Sequence, residues 1–274
     1  MAAAASMGHP YAPAELDLPG FVPLKLSQVE ILVSYLGASV FVFLAVWLVS
    51  GRCVRLSKTD RLLMCWWAFT GLTHIMIEGP FVFTPDFFKK ENPNFFDEVW
   101  KEYSKGDSRY VARDTATVTV EGITAVLEGP ASLLAVYAIA SRKSFSHILQ
   151  FAVCLGQLYG CLVYFITAYL DGFNFWVGPF YFWAYFIGAN SFWIWIPMLI
   201  AIRSWKKTCA AFQAEKTGLQ IQGIERWGKN DFFAYQVTKR KTTIRGSMGE
   251  QSEDENLRKI SPLTFLQKGS VHIG

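Results

Sequence analysis

Charge is scarce in this chain. Only 18% of its 274 residues are Asp, Glu, Lys or Arg, against about 25% in an ordinary soluble domain. There are four histidines, and the five cysteines at 53, 65, 154, 161 and 209 have neither metal-site nor disulfide-framework spacing. That excludes a disulfide-stapled secreted module. Neither a glycine-rich phosphate loop nor a long internal repeat is present. No Ser/His/Asp or Cys/His nucleophile arrangement is suggested. What the chain has in excess is apolar surface: 52% hydrophobic residues, with 23 Phe, 11 Tyr and 10 Trp. Disorder of the whole chain is thereby excluded.

The apolar residues come in runs of membrane length. Three runs carry no charge: 31–50, 148–170 and 180–202. A helix needs about 20 apolar residues to cross a hydrocarbon core. Two more runs are long enough but contain ionisable groups. Residues 62–84 hold His74 and Glu78, and residues 116–140 hold Glu121 and Glu128. The pattern predicts an all-α, polytopic membrane bundle of five transmembrane helices spanning 31–205. A segment, 1–30, precedes it, and a tail, 206–274, follows. No basic region and apolar stretch of signal-peptide type precedes the first helix, which is therefore expected to act as its own signal anchor.

Loop charges orient the bundle. Arg52, Arg55, Lys58 and Arg61 follow the first run; Arg142 and Lys143 follow the third; Arg203, Lys206 and Lys207 follow the fifth. The opposite side has Lys25 alone before the first run, and no Lys or Arg at 171–179. The positive-inside rule puts the first set in the cytosol, with a lumenal N-terminus and a cytosolic C-terminus. Segment 85–115 is lumenal by this count, although it holds six basic residues beside seven acidic ones. Trp100, Tyr103 and Tyr110 predict that it folds back against the membrane interface. The tail is basic, with 12 Lys or Arg against seven Asp or Glu in 204–274. Solvated disorder is its plainest reading, with a weak contact to anionic lipid headgroups as the rival.

The functional signal lies in the ionisable residues within the spans. A charge at the bilayer centre costs about 3 kcal/mol or more. His74 and Glu78, four apart, share a helix face, and Gly79-Pro80 follows them, where the missing donor of proline frees a carbonyl. Glu121 and Thr124 are three apart, as are Asn190 and Trp193. Facing inward, these pairs line one pocket. Each has a plainer reading: a structural His–Glu pair, an interhelical Asn hydrogen bond, a packing Trp. Glu128 precedes Gly129-Pro130 and reads as a cap or solvating group of a kink. A metal site is disfavoured, since His74 is the one histidine within a helix core and no Glu-x-x-His spacing occurs. The available groups suit proton movement. A proton-coupled transporter is a distant alternative, with no evident inverted repeat.

Several strings carry a resemblance: His9-Pro10-Tyr11, GLTHIMIEGPFV (71–82), WKEYSKGDSRY (100–110), VEGITAVLEGP (120–130), GQLYG (156–160) and YFWAYFIGANSFWIWIP (181–197). From about residue 9 to about 215 the chain resembles the emopamil-binding protein family, or EXPERA domain, and within it the plant-like form of the sterol Δ8–Δ7 isomerase. The resemblance departs at Glu128, where the animal form has an aromatic residue, and after about residue 224, where no counterpart is recognised. It implies an intramolecular isomerase of sterol biosynthesis in the endoplasmic reticulum membrane, moving a ring double bond from C8–C9 to C7–C8 through a carbocation. No metal or redox cofactor is implied.

By the resemblance, His74, Glu78 and Glu121 are catalytic, and Thr124, Asn190 and Trp193 bind substrate. His74 and Glu78 deliver the proton to C9. Glu121 stabilises the cation and takes the C7 proton, with the exchange of roles between Glu78 and Glu121 open. Trp193 lies against the cation, and Asn190 and Thr124 orient the carboxyl groups. Segment 100–110 closes one end of the pocket, and Asp107 and Arg109 are expected to form a surface pair worth about 0–1 kcal/mol. The implied partners are a Δ8-sterol, membrane lipid and cationic amine inhibitors, with a homodimer left open and no nucleic acid. The family also holds a ligand-binding member without isomerase activity, the sigma-two receptor. The alternative is thus a non-catalytic sterol- or cationic-amine-binding membrane protein of the same fold.

Overall fold

Helix α1, Gln28–Ser50, opens where Ser27 and Glu30 close a reciprocal cap on each other's backbone N–H groups. In the computed structural model, which describes residues 8–52 and 56–246, the remaining elements are also helical, and the described residues contain no strand. Helix α2, Lys58–Thr73, continues through a π-turn, His74–Glu78, into α3, Gly79–Phe83. A short helix, α4, Phe95–Tyr103, lies in the loop that follows. Helix α5, Thr115–Ile123, passes through a second π-turn, Thr124–Glu128, into α6, Gly129–Ala140. Next come α7, Ser146–Leu170; α8, Pro179–Tyr181; a π-segment, Phe182–Ala189; and α9, Asn190–Gly246.

Both π-turns end at Glu-Gly-Pro, and in both the glycine N–H reaches back five residues, Gly79 to the His74 carbonyl and Gly129 to the Thr124 carbonyl. The next residue, Pro80 or Pro130, has no N–H to donate. Such bulges favour functional sites because they re-aim side chains within a continuous helix. Here they fall on two of the segments that the sequence singles out.

Among the described residues, four helical stretches are long and apolar enough to cross a membrane: Gln28–Ser50, Thr115–Ala140, Ser146–Leu170 and Pro179–Gln220. Their outward faces carry exposed apolar side chains, among them Phe41, Leu48, Tyr159, Leu162 and Trp195. An apolar surface of this extent suits lipid rather than water. The chain is a helical membrane bundle. The sequence predicts five spans, and the one that falls short is 62–84. Its helix forms over 58–83, but Lys58, Asp60, Arg61, His74 and Glu78 dilute its apolar content. The tail also differs from its reading as disordered from 206. Helix α9 runs on to Gly246, and 247–274 lie outside the described residues. The described residues up to Ala211 belong to one compact unit and those from Phe212 to a second. Arg55, counted above for orientation, also lies outside the described residues.

Helices α2 and α6 touch backbone to backbone, which sets the level of the site. A Cβ placed on Gly71 would stand 2.9 Å from the Gly129 carbonyl oxygen, and one on Gly129 would stand 2.7 Å from Ile75. Small residues permit this close approach in membrane bundles. The contact brings the two π-turns side by side.

The loop 84–114 folds back onto the bundle and becomes part of its interior. Trp100 Nε1 donates to the Ile77 carbonyl in the first π-turn at 2.8 Å. Arg113 donates to the Phe81 and Val82 carbonyls at the end of α3, at 2.5 and 3.0 Å. Asp107 and Arg109 correct the sequence reading, since their pair is buried rather than superficial, with side chains 1% and 4% exposed. Arg109 also donates to Thr167 Oγ1 at 3.0 Å, and Tyr164 donates to Asp107 at 2.6 Å. Breaking a buried, hydrogen-bonded pair typically costs about 3–5 kcal/mol. The pair anchors the loop to α7.

Candidate active site

A cavity of about 960 Å³ runs through the first compact unit. Its walls are mostly apolar and aromatic, from α1, α2, the loop, α5, α7 and the segment 180–196. His74, Glu78, Glu121, Thr124, Asn190 and Trp193 all line it. The six residues expected in the catalytic and substrate-binding set therefore face one space.

Four of them form a buried hydrogen-bonded group. His74, Glu78, Glu121 and Thr124 are each 9% exposed or less. His74 Nδ1 lies 2.8 and 2.7 Å from the two Glu78 carboxyl oxygens. Four-residue spacing puts the two side chains on one face, and the π-turn spans both. Thr124, at the start of the second π-turn, donates its hydroxyl to Glu78 across the helix pair. Its Oγ1 also lies 2.9 Å from the Glu121 carbonyl, an alternative acceptor for the same proton. The Glu78 and Glu121 carboxyl groups are near enough to interact electrostatically.

The loop and α7 complete the group with residues that the sequence reading does not assign to the site. Tyr110 donates to Glu121 Oε1 at 2.7 Å. Burial pushes the phenols of both Tyr103 and Tyr110 well above the ordinary tyrosine range, so both remain protonated near neutrality. Gln157 Nε2 lies 3.1 Å from His74 Nε2. With the imidazole proton on Nδ1, toward Glu78, the Gln157 amide donates to the bare Nε2. Tyr110 and Gln157 both fall within the quoted strings WKEYSKGDSRY and GQLYG, but nothing in either string says which side chain reaches which helix.

The Trp193 ring faces the His74 imidazole, with centroids 6.3 Å apart, and packs on Phe69 and Trp66 at 6.1 and 6.0 Å. Asn190 differs from expectation. Its amide donates to Tyr103 Oη at 3.2 Å and to the Phe186 carbonyl at 2.8 Å, not to a carboxyl group. The amide holds the loop against the last membrane helix. Among the described residues, no three or more His, Cys, Asp or Glu side chains are grouped to hold a metal ion.

Taken together, the group offers two carboxyl groups and an imidazole beside a large apolar space. One carboxyl is tied to an imidazole and the other to a phenol. Such a wall can give a proton at one point and take one at another while water is excluded.

A rice protein (Oryza sativa subsp. japonica) named as a probable 3-beta-hydroxysteroid-Delta(8),Delta(7)-isomerase is 82% identical over 209 residues, 76% of this chain and 95% of its own length. Residues 95–204 match the family model of EBP, the EXPERA (EXPanded EBP superfamily) family. The chain belongs to the EBP family. An Arabidopsis thaliana protein of the same printed name is 60% identical over 205 residues, 75% of this chain and 91% of its own. An isomeliandiol synthase of Ailanthus altissima is 55% identical over 172 residues, 62% of this chain and 81% of its own. In this EBP chain the matched stretch takes in the loop helix and the last three membrane helices. His74 and Glu78 lie before it.

Proposed function

We propose that this chain is a sterol Δ8–Δ7 isomerase, the activity for which the rice and Arabidopsis relatives are named. It acts in the membrane of the endoplasmic reticulum, with its N-terminus lumenal and its C-terminus cytosolic by the positive-inside rule. Helix 58–83 crosses as a fifth span. Its polar residues are sheltered by the neighbouring helices, as intramembrane ionisable groups generally are.

One observation carries the reading. Two carboxyl groups and an imidazole share a hydrogen-bonded cluster on the wall of an apolar cavity of about 960 Å³. A flat tetracyclic lipid enters such a space with its ring carbons against that wall. The His74–Glu78 pair delivers a proton to C9. The C8=C9 π electrons form the new C9–H bond, and positive charge is left at C8. Glu121, held by the Tyr110 hydroxyl, removes a proton from C7, and the electrons of that C–H bond become the C7=C8 double bond. Protons and electrons balance without an oxidant or reductant. Thr124 fixes Glu78. Trp193 presents its face to the cationic carbons, a contact worth about 2 kcal/mol when desolvated. Asn190 acts by keeping Tyr103 and the loop in place.

The test is complementation of a yeast strain that lacks its own sterol isomerase, read by mass spectrometry of its sterols. Δ7-sterols should replace the accumulated Δ8-sterols when this chain is expressed. Persistent Δ8-sterols with the protein present in the membrane would instead leave a sterol- or amine-binding protein that does no chemistry.

A further inference from the structure

Glu128 is a buried titratable group for which the proposed mechanism has no use. The sequence reads it as capping or solvating the kink at Gly129-Pro130, and the capping bond is absent. The residue is 8% exposed, and its Oε2 has no hydrogen-bond partner. A buried, unpartnered carboxylate is costly unless an opposite charge faces it.

Its surroundings show where that charge can come from. The carboxyl group lies on the backbone of Gly156, where any Cβ would collide with it. From the first π-turn it feels His74 and Glu78, and from α7 its field reaches Cys154 and Cys161. No Lys or Arg is among these groups. The residue that follows Glu128 packs on His74, since a Cβ on Gly129 would stand 3.2 Å from the His74 Cβ. The cation available to Glu128 is therefore a protonated His74.

Gln157, the neighbour of Gly156, supplies a second observation. Its Nε2 lies beside His74 Nε2, while its Oε1 is buried with no partner. When His74 is doubly protonated, the Nε2–H needs an acceptor. Rotation of the Gln157 amide presents Oε1 to it, and amide orientation of this kind follows the hydrogen-bond network. The surroundings of His74 are thus fitted for an imidazolium as well as for the neutral ring.

We propose that Glu128 is a positioning residue for proton delivery, its carboxylate stabilising the imidazolium of His74 alongside Glu78 while Gln157 fixes the ring at Nε2. The inference rests on the isomerase reading above. It assigns Glu128 no contact with the sterol, because the residue does not line the cavity.

The test compares wild-type protein with Glu128→Gln in detergent-solubilised, full-length form, using a Δ8-sterol. The substitution keeps the shape that packs on Gly156 and removes the charge. kcat should fall about tenfold or more, with the sterol Kd unchanged within about twofold. The solvent deuterium isotope effect on kcat should rise, because proton delivery becomes slower than the other steps. Wild-type kcat in Glu128→Gln, or equal proportional losses of kcat and sterol affinity, would overturn the proposal. If Glu128→Gln does not accumulate in folded form, Gln157→Leu decides in its place. It should show the same separation of kcat from Kd, and a wild-type kcat would overturn the assignment. Failure of the isomerase reading is separately visible, as wild-type protein that binds the sterol without converting it.

Discussion

Glu121→Gln should lower turnover of a Δ8-sterol by about 10²- to 10⁴-fold, the usual worth of a positioned acid or base. Sterol affinity should stay within about tenfold, or 1.4 kcal/mol. The substitution is nearly isosteric, and the amide oxygen can still accept from Tyr110, which lies 2.7 Å from Oε1. The cavity wall therefore keeps its shape, and the loss falls on the step that removes the C7 proton. Measured kcat and equilibrium sterol binding separate the two effects. Parallel losses of both would make Glu121 a binding residue and remove the base from the mechanism.

A cationic amine of sterol-like shape should bind at least about 100-fold tighter than its neutral isostere, because it carries the charge of the carbocation at the ring carbons. Competition binding against a labelled sterol measures the difference. The difference is expected from Glu78, Glu121 and the Trp193 ring, in a cavity whose walls are otherwise mostly apolar. In Glu121→Gln the amine should lose much of its advantage while the isostere keeps its affinity. Equal affinities in the wild-type protein would contradict a site built for positive charge.

Much of this architecture is legible in the amino-acid sequence, because hydrocarbon imposes a length on every span. The runs 31–50, 116–140 and 148–170 begin one to three residues late and end at the helix ends observed, Ser50, Ala140 and Leu170. Hydropathy carries no information about what continues past an apolar run, so the extension of α9 beyond 202 is not legible from it. Five of the six candidate residues stand out for the opposite reason, as polar groups in segments where polarity is expensive, and Trp193 by its spacing from Asn190. Their facing, given by spacings of three and four, brings them to one cavity.

The local geometry is less legible. The two π-turns follow from Glu-Gly-Pro, yet the same tripeptide also permits a simple kink. Packing of Gly71 on Gly129 sets the two turns at one level, and the sequence alone does not show that contact. Tyr110 and Gln157 are partners by tertiary contact, and sequence spacing does not relate residue 110 to 121 or residue 157 to 74. The Asp107–Arg109 pair reads as superficial because loops ordinarily face water. This loop is part of the interior, and its ion pair is buried with it.

The most direct measurement is conversion of a Δ8-sterol by the purified protein in deuterated water, with the product analysed by mass spectrometry and NMR. The expected product is a Δ7-sterol carrying one deuterium at C9, because the proton added there comes from side chains that exchange with solvent. Protein that is folded and binds the sterol, yet yields neither a Δ7 product nor deuterium at C9, would contradict the proposed mechanism.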